Sequence, residues 1–125
     1  EVYLAWVERI PASDKARLPL PAGWQVGPAF LDSLDELEGV TRAKVAAVVV
    51  EVLTGLAKEL PGRDLHRLRV AESGSAPYVV REDGAACWRA ALQRETPGAR
   101  RLHYWELPGG SIELSRVVAH DDTTP

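Results

Sequence analysis

Hydrophobic positions keep a helical period from Phe30 to Leu60 and an alternating one after Gly62. In "RAKVAAVVVEVLTGLAKEL", Val45, Val48, Val49, Val52, Leu53 and Leu56 recur at three- and four-residue steps, which predicts one apolar helical stripe. Thr41 is placed to cap that helix, and Pro61-Gly62 should stop it. The triple Val48-Val49-Val50 has strand propensity, but the length of the segment and its Ala, Leu, Lys and Glu content favour helix. Just upstream, "FLDSLDELEG" spaces Phe30, Leu31, Leu34 and Leu37 as a second helix that ends at Gly39.

Beyond Gly62 the segments shorten and turn residues separate them. "LHRLRV" and "PYVVR" are short strand candidates, and "AACWRAALQRE" alternates. Ala86, Trp88, Ala90 and Leu92 fall on one side of that strand, with Cys87, Arg89, Ala91 and Gln93 on the other. "TPG" and "PGG" flank "RRLHYWEL" and lead into "SIELSRVVAH", so residues 101–120 read as a hairpin. At the front, "VYLAWVERI" (residues 2–10) is rich in β-formers and predicts a strand. A proline-rich loop follows it, and "WQVGPAF" predicts a short extended entry. The expected fold class is α+β in a single domain, residues 1–125. Two consecutive helices should cover one face of a mostly antiparallel sheet of four to five strands, with residues 1–23 as a strand-and-loop extension.

Composition adds limits. At 125 residues, 46% hydrophobic and 26% charged, the chain matches an ordinary globular domain. It has no apolar run of the roughly 20 residues that cross a bilayer. The start has an early acid and no basic n-region, unlike a secretion signal, and the lack of any Met suggests a trimmed start. The single cysteine, Cys87, permits no internal disulfide, and together these features predict a cytoplasmic protein without membrane partners. A net charge of −3 argues against a generic nucleic-acid grip, yet the charge is uneven. Nine acids oppose six bases through Gly62, whereas residues 63–120 hold nine arginines, no lysine and seven acids. That fits one locally basic face, or simply a codon bias toward arginine.

The candidate chemistry lies in this second half. Arg89 falls on the polar side of its strand beside Gln93, and Arg81 ends the strand before it. Two guanidiniums there would clamp a phosphate; alternatively each is a surface arginine paired with Glu82, Asp83 or Glu95. His120 closes the last strand in "AHDD" and is the leading acid–base candidate, with Asp121 or Asp122 to orient its ring, unless the strand simply frays there. His103 in the partner strand would face it across the hairpin in one register, and the sequence does not fix the register. Strict alternation turns Arg116 toward the core with Ile112 and Leu114, and a bulge near Val117-Val118 would turn it outward; the sequence leaves this open. A metal site would need His103, His120, Asp121 and Asp122 to converge, and no zinc-type spacing is present. Cys87 reads as inert, "ESGSA" as no nucleophile elbow, and the four tryptophans as core. Tyr104 and Trp105 fall on opposite strand faces, so one of them should be exposed.

"FLDSLDEL" with a long helix after it, "LHRLR", "YVVREDGAACWRAAL" and a last strand running into "HDD" together resemble the RelE/ParE toxin superfamily over residues 24–122. The resemblance implies a cytoplasmic toxin of a toxin–antitoxin pair, acting as a metal-independent, ribosome-associated mRNA endoribonuclease without cofactor. Its partners would be an antitoxin protein and the ribosome with its mRNA. By position, the resemblance gives catalytic roles to His120, Arg89 and Arg81. Arg116, His103, Asp121 and Gln93 would bind substrate. The acidic net charge, the absence of lysine in the sheet half and the N-terminal extension depart from the nuclease pattern. They favour an alternative, a non-catalytic protein–protein interaction domain that retains the fold.

Overall fold

The computed structural model describes residues 1–96 and 98–125. In chain order it forms helix α1 (Val2–Arg9), strand β1 (Gln25–Val26), helices α2 (Phe30–Asp35) and α3 (Arg42–Thr54), then strands β2 (His66–Arg67), β3 (Ala86–Ala91), β4 (Arg100–Glu106) and β5 (Ile112–Ala119). The strands make one mixed five-stranded sheet in the order β1-β5-β4-β3-β2, with β1 parallel to β5 and the other pairs antiparallel. The architecture is α+β, as the periodicity predicts.

The centre of the fold follows its sequence signals closely. The Thr41 hydroxyl accepts from the Lys44 amide at 3.1 Å, a cap that contributes about 1 kcal/mol. All six stripe residues are buried, five of them in α3 and Leu56 in the turn after it. Val45, Val48, Val49, Val52 and Leu53 pack with Phe30 of α2 onto Ala90, Leu102, Tyr104, Leu114 and Val117 of the sheet. α3 ends earlier than Pro61 because Gly55 adopts φ +87, and a 3-10 turn over Leu56–Glu59 follows.

The N-terminal expectation is overturned: residues 2–9 are helix, not strand. Their β-forming composition yields to a tertiary partner. Val2, Ala5, Trp6 and Ile10 make a helical stripe that packs on Val50 and Leu56, the side of α3 turned away from the sheet. α3 is therefore covered on both sides, which is why Val50 and even Glu51 are buried. The Lys15 ammonium donates to the carbonyls of Val7 (3.0 Å) and Ile10, closing the C-terminal end of α1, and lies 4.7 Å from the Trp6 ring centroid.

Three further expectations change. "PYVVR" forms only isolated bridges, Arg69 to Tyr78 and Val80 to Ala86, and "LHRLRV" contracts to the two residues of β2. Tyr104 and Trp105 are both buried, because the sheet is covered on both faces at β4. Tyr104 joins the helix-side core, while Trp105 and Cys87 lie under Leu68, Val79 and Ala85 on the far face. Gly27 lets β1 approach β5: its amide donates to the Leu114 carbonyl at 2.7 Å, and a Cβ there would stand 2.9 Å from that same oxygen.

Candidate functional site: an arginine row on the far face

Registers across β3, β4 and β5 align Arg89 with His103 and His103 with Arg116, and His66 of β2 lies opposite Arg89. Directly opposed residues share a sheet face, so these four side chains form one row on the side away from the helices. The bulge decides Arg116. Tyr104 pairs with Leu114 while His103 pairs with Arg116, so Ser115 is the extra residue. Leu114 and Val117 consequently both reach the helix-side core and Arg116 turns outward, with the bulge slightly earlier than the sequence suggests. Arg101 follows in β4 on the same face, two residues from His103.

This row is charged and poorly neutralised. Among the described residues Arg67, Arg69, Arg89, Arg101 and Arg116 form no salt bridge, whereas Arg9, Arg17, Arg42, Arg63 and Arg81 all do. The Nε atoms of Arg67, Arg89, Arg101 and Arg116 and the Nε2 of His103 are buried with no hydrogen-bond partner among the described residues. Burial lowers the pKa of Arg89 and Arg101 below the usual arginine value, and the charge of Arg89 lowers Arg101 further. Unpaired guanidiniums gathered this way supply the planar donor sets that carboxylates and phosphates accept.

His103 is wholly buried at the centre of the row, and burial is the main reason its pKa falls to about 4. The charges of Arg89 and Arg116 push the same way, while the hydrogen bond from Nδ1 to the Thr124 carbonyl, 2.7 Å, opposes them. The imidazole is therefore neutral at neutral pH. The cover over it is the segment after β5, which turns back at His120 and Asp121. Asp122 is held below the usual carboxylate range by its hydrogen bond with Thr124, and secondarily by the charges of His103 and Arg116.

The residues expected from sequence are only partly brought together. Arg89, His103 and Arg116 stand in the row. His120 touches it through its backbone: Arg89 Nη2 donates to the His120 carbonyl at 3.2 Å. The His120 side chain is exposed and lines a shallow depression with Glu95, Thr96, Ala99 and Asp121. Arg81 is committed elsewhere, donating to Asp83 (2.8 Å) and Glu113 (3.0 Å) with its guanidinium 5.0 Å from the Trp105 ring centroid. The pairing with Asp83 is the plainer of its two sequence readings. Gln93 leaves the face because β3 stops at Ala91; its amide donates to the Gly39 carbonyl at 2.8 Å. Cys87 is buried and its thiol pushed up to about 12, so it is not a nucleophile at neutral pH.

Arg101 belongs to this face, and Arg67 and Arg69 line a depression with Arg89 at the β2 edge; none of the three was singled out by the sequence. For Arg101 the signal was available, since Arg101, His103 and Trp105 alternate along β4 and share one parity. No protein-family model, curated protein or solved structure matches the chain.

Proposed function

We propose that this chain is a RelE/ParE-like toxin domain that takes RNA on the far face of its sheet and cleaves it without a metal. The observation that carries the reading is the row Arg89–His103–Arg116, whose guanidiniums lack carboxylate partners among the described residues although the chain as a whole has a net charge of −3. In this reading Arg89 and Arg116 hold the scissile phosphate and stabilise the charge that builds as the 2′-oxygen attacks phosphorus. His120, anchored to the row through its carbonyl and exposed at the strand end, takes the 2′-hydroxyl proton and returns a proton to the 5′-oxygen as the P–O5′ bond breaks, leaving a 2′,3′-cyclic phosphate. Neutral His103 spaces the two guanidiniums. Arg81 leaves the catalytic set, because two carboxylates already engage it.

Induced expression tests this directly. Growth arrest and RNA cleavage by the intact protein, both lost in Arg89→Ala and in His120→Ala, are the expected result. Arrest that survives both substitutions contradicts the proposal.

One observation favours the interaction-domain alternative. Val26 and Leu31 are 51% and 62% exposed beside a cleft lined by Trp24, Phe30, Leu34 and Val45. An edge strand next to an apolar cleft suits a protein partner. Harmless expression, with a partner that is released by Leu31→Asp, would select this reading.

A further inference from the structure

We infer that the depression at the β2 edge is a subsite for an unpaired nucleobase, next to the phosphate position at Arg89. The inference rests on the RNA reading above and narrows its substrate to single strands.

The depression is lined by His66, Arg67, Arg69, Glu72, Arg89 and Thr123 among others, so Arg89 belongs both to it and to the row. A phosphate on Arg89 would leave its attached nucleoside at this edge. Next to it stands a preassembled flat surface. The Tyr78 ring has the Arg67 guanidinium 4.6 Å and the Arg69 guanidinium 4.2 Å from its centroid. Arg69 is fixed further by donating to the Ala76 carbonyl (2.6 Å) and the Tyr78 hydroxyl (3.0 Å). Neither arginine has a carboxylate partner among the described residues, and Tyr78 is 45% exposed. Guanidinium and phenol planes held at a basic edge offer a base a face to stack on, and every base has one. Inorganic phosphate or a carboxylate would gain nothing from the ring. A duplex keeps its bases stacked inside and cannot present one here.

Fluorescence anisotropy with a short, uncleavable 2′-O-methyl oligonucleotide tests this, compared with its duplex and with inorganic polyphosphate of equal charge as competitor. Stacking of one base predicts that the single strand binds about tenfold more tightly than either. Tyr78→Ala should remove that advantage and leave polyphosphate binding unchanged, while Tyr78→Phe, which keeps the ring, should retain it. Arg89→Ala should weaken all three. Equal affinity for single strand and polyphosphate, or a Tyr78→Ala protein that still prefers the single strand, overturns the subsite while the RNA reading stands. Oligonucleotide binding that ignores both Arg89→Ala and Arg116→Ala overturns the RNA reading, and the subsite falls with it.

Discussion

The Nδ1 atom of His103 lies 2.7 Å from the carbonyl oxygen of Thr124, so backbone from beyond β5 crosses the centre of the arginine row. A carbonyl carries no proton, so Nδ1 donates and the lone pair is on Nε2, which is buried without a partner among the described residues. The groups around this imidazole are Arg89, Arg116 and Asp122.

Burial of the His103 imidazole makes stability depend on pH, and the Thr124 hydrogen bond only tempers the effect. His103 titrates at about 4 in the fold, below its ordinary value of about 6.5, so the unfolded chain binds the proton more readily between those limits. The stabilisation is complete above the unfolded value and is lost as pH falls through the folded one. Urea denaturation should show up to about 3 kcal/mol lost between neutral pH and pH 4. In His103→Gln that part of the slope should vanish. Asp83, held down to about 2 chiefly by its hydrogen bond from Arg81, and Asp122, lowered by its hydrogen bond with Thr124, add a loss only toward the acid end of this window, and the His103→Gln comparison separates it from the histidine.

Glu51 is the buried clamp of the helical layers. Its carboxylate accepts from Arg9 Nε of α1 at 2.8 Å and from Arg63 Nε at 2.5 Å, while Arg63 Nη1 donates to the Ala91 carbonyl of β3 at 2.9 Å. Glu51→Ala strands two guanidiniums, one of them largely buried, and should cost about 3 kcal/mol in urea denaturation. Glu51→Gln keeps an acceptor and should cost less.

Arg81→Ala separates structural arginine from ligand-binding arginine. Loss of its partly exposed pairs with Asp83 and Glu113 should lower stability only slightly, and oligonucleotide affinity should stay unchanged.

Gly27→Ala probes the parallel edge. The added Cβ meets the Leu114 carbonyl at 2.9 Å, and backbone on both sides has little freedom to give. A loss of about 2 kcal/mol, with faster amide exchange at Gly27's own position, is expected.

The legible parts of this fold were those set by local pattern. The α3 stripe, the Thr41 cap and the hairpin around Pro108-Gly109-Gly110 need no distant partner to be read. α1 was misread because Val, Tyr and Trp favour strands, whereas its fate depends on packing against the far side of α3. A spacing signal was present in Val2, Ala5, Trp6 and Ile10, followed by Pro11. Strand parity put Arg89 on its face, but His103 lies opposite Arg116 and not His120, a register that no local pattern gives. The face of Arg116 was not legible, because a one-residue bulge is chosen by the packing of Leu114 and Val117 together. Nor does any local pattern tell that Arg81 finds Glu113, or that the segment after β5 folds back over His103.

In the proposed function Arg89 and Arg116 act together on RNA phosphates. Anisotropy titration of a single-stranded oligonucleotide across a salt series, with wild type and the Arg89→Ala/Arg116→Ala double variant, tests it most directly. Each phosphate contact contributes about 0.7 to the slope of log affinity against log salt for a single strand, so the double variant should lose about 1.4. Its affinity should fall by at least about tenfold at low salt, with the fold intact by circular dichroism. An unchanged affinity and slope in the double variant would contradict the account.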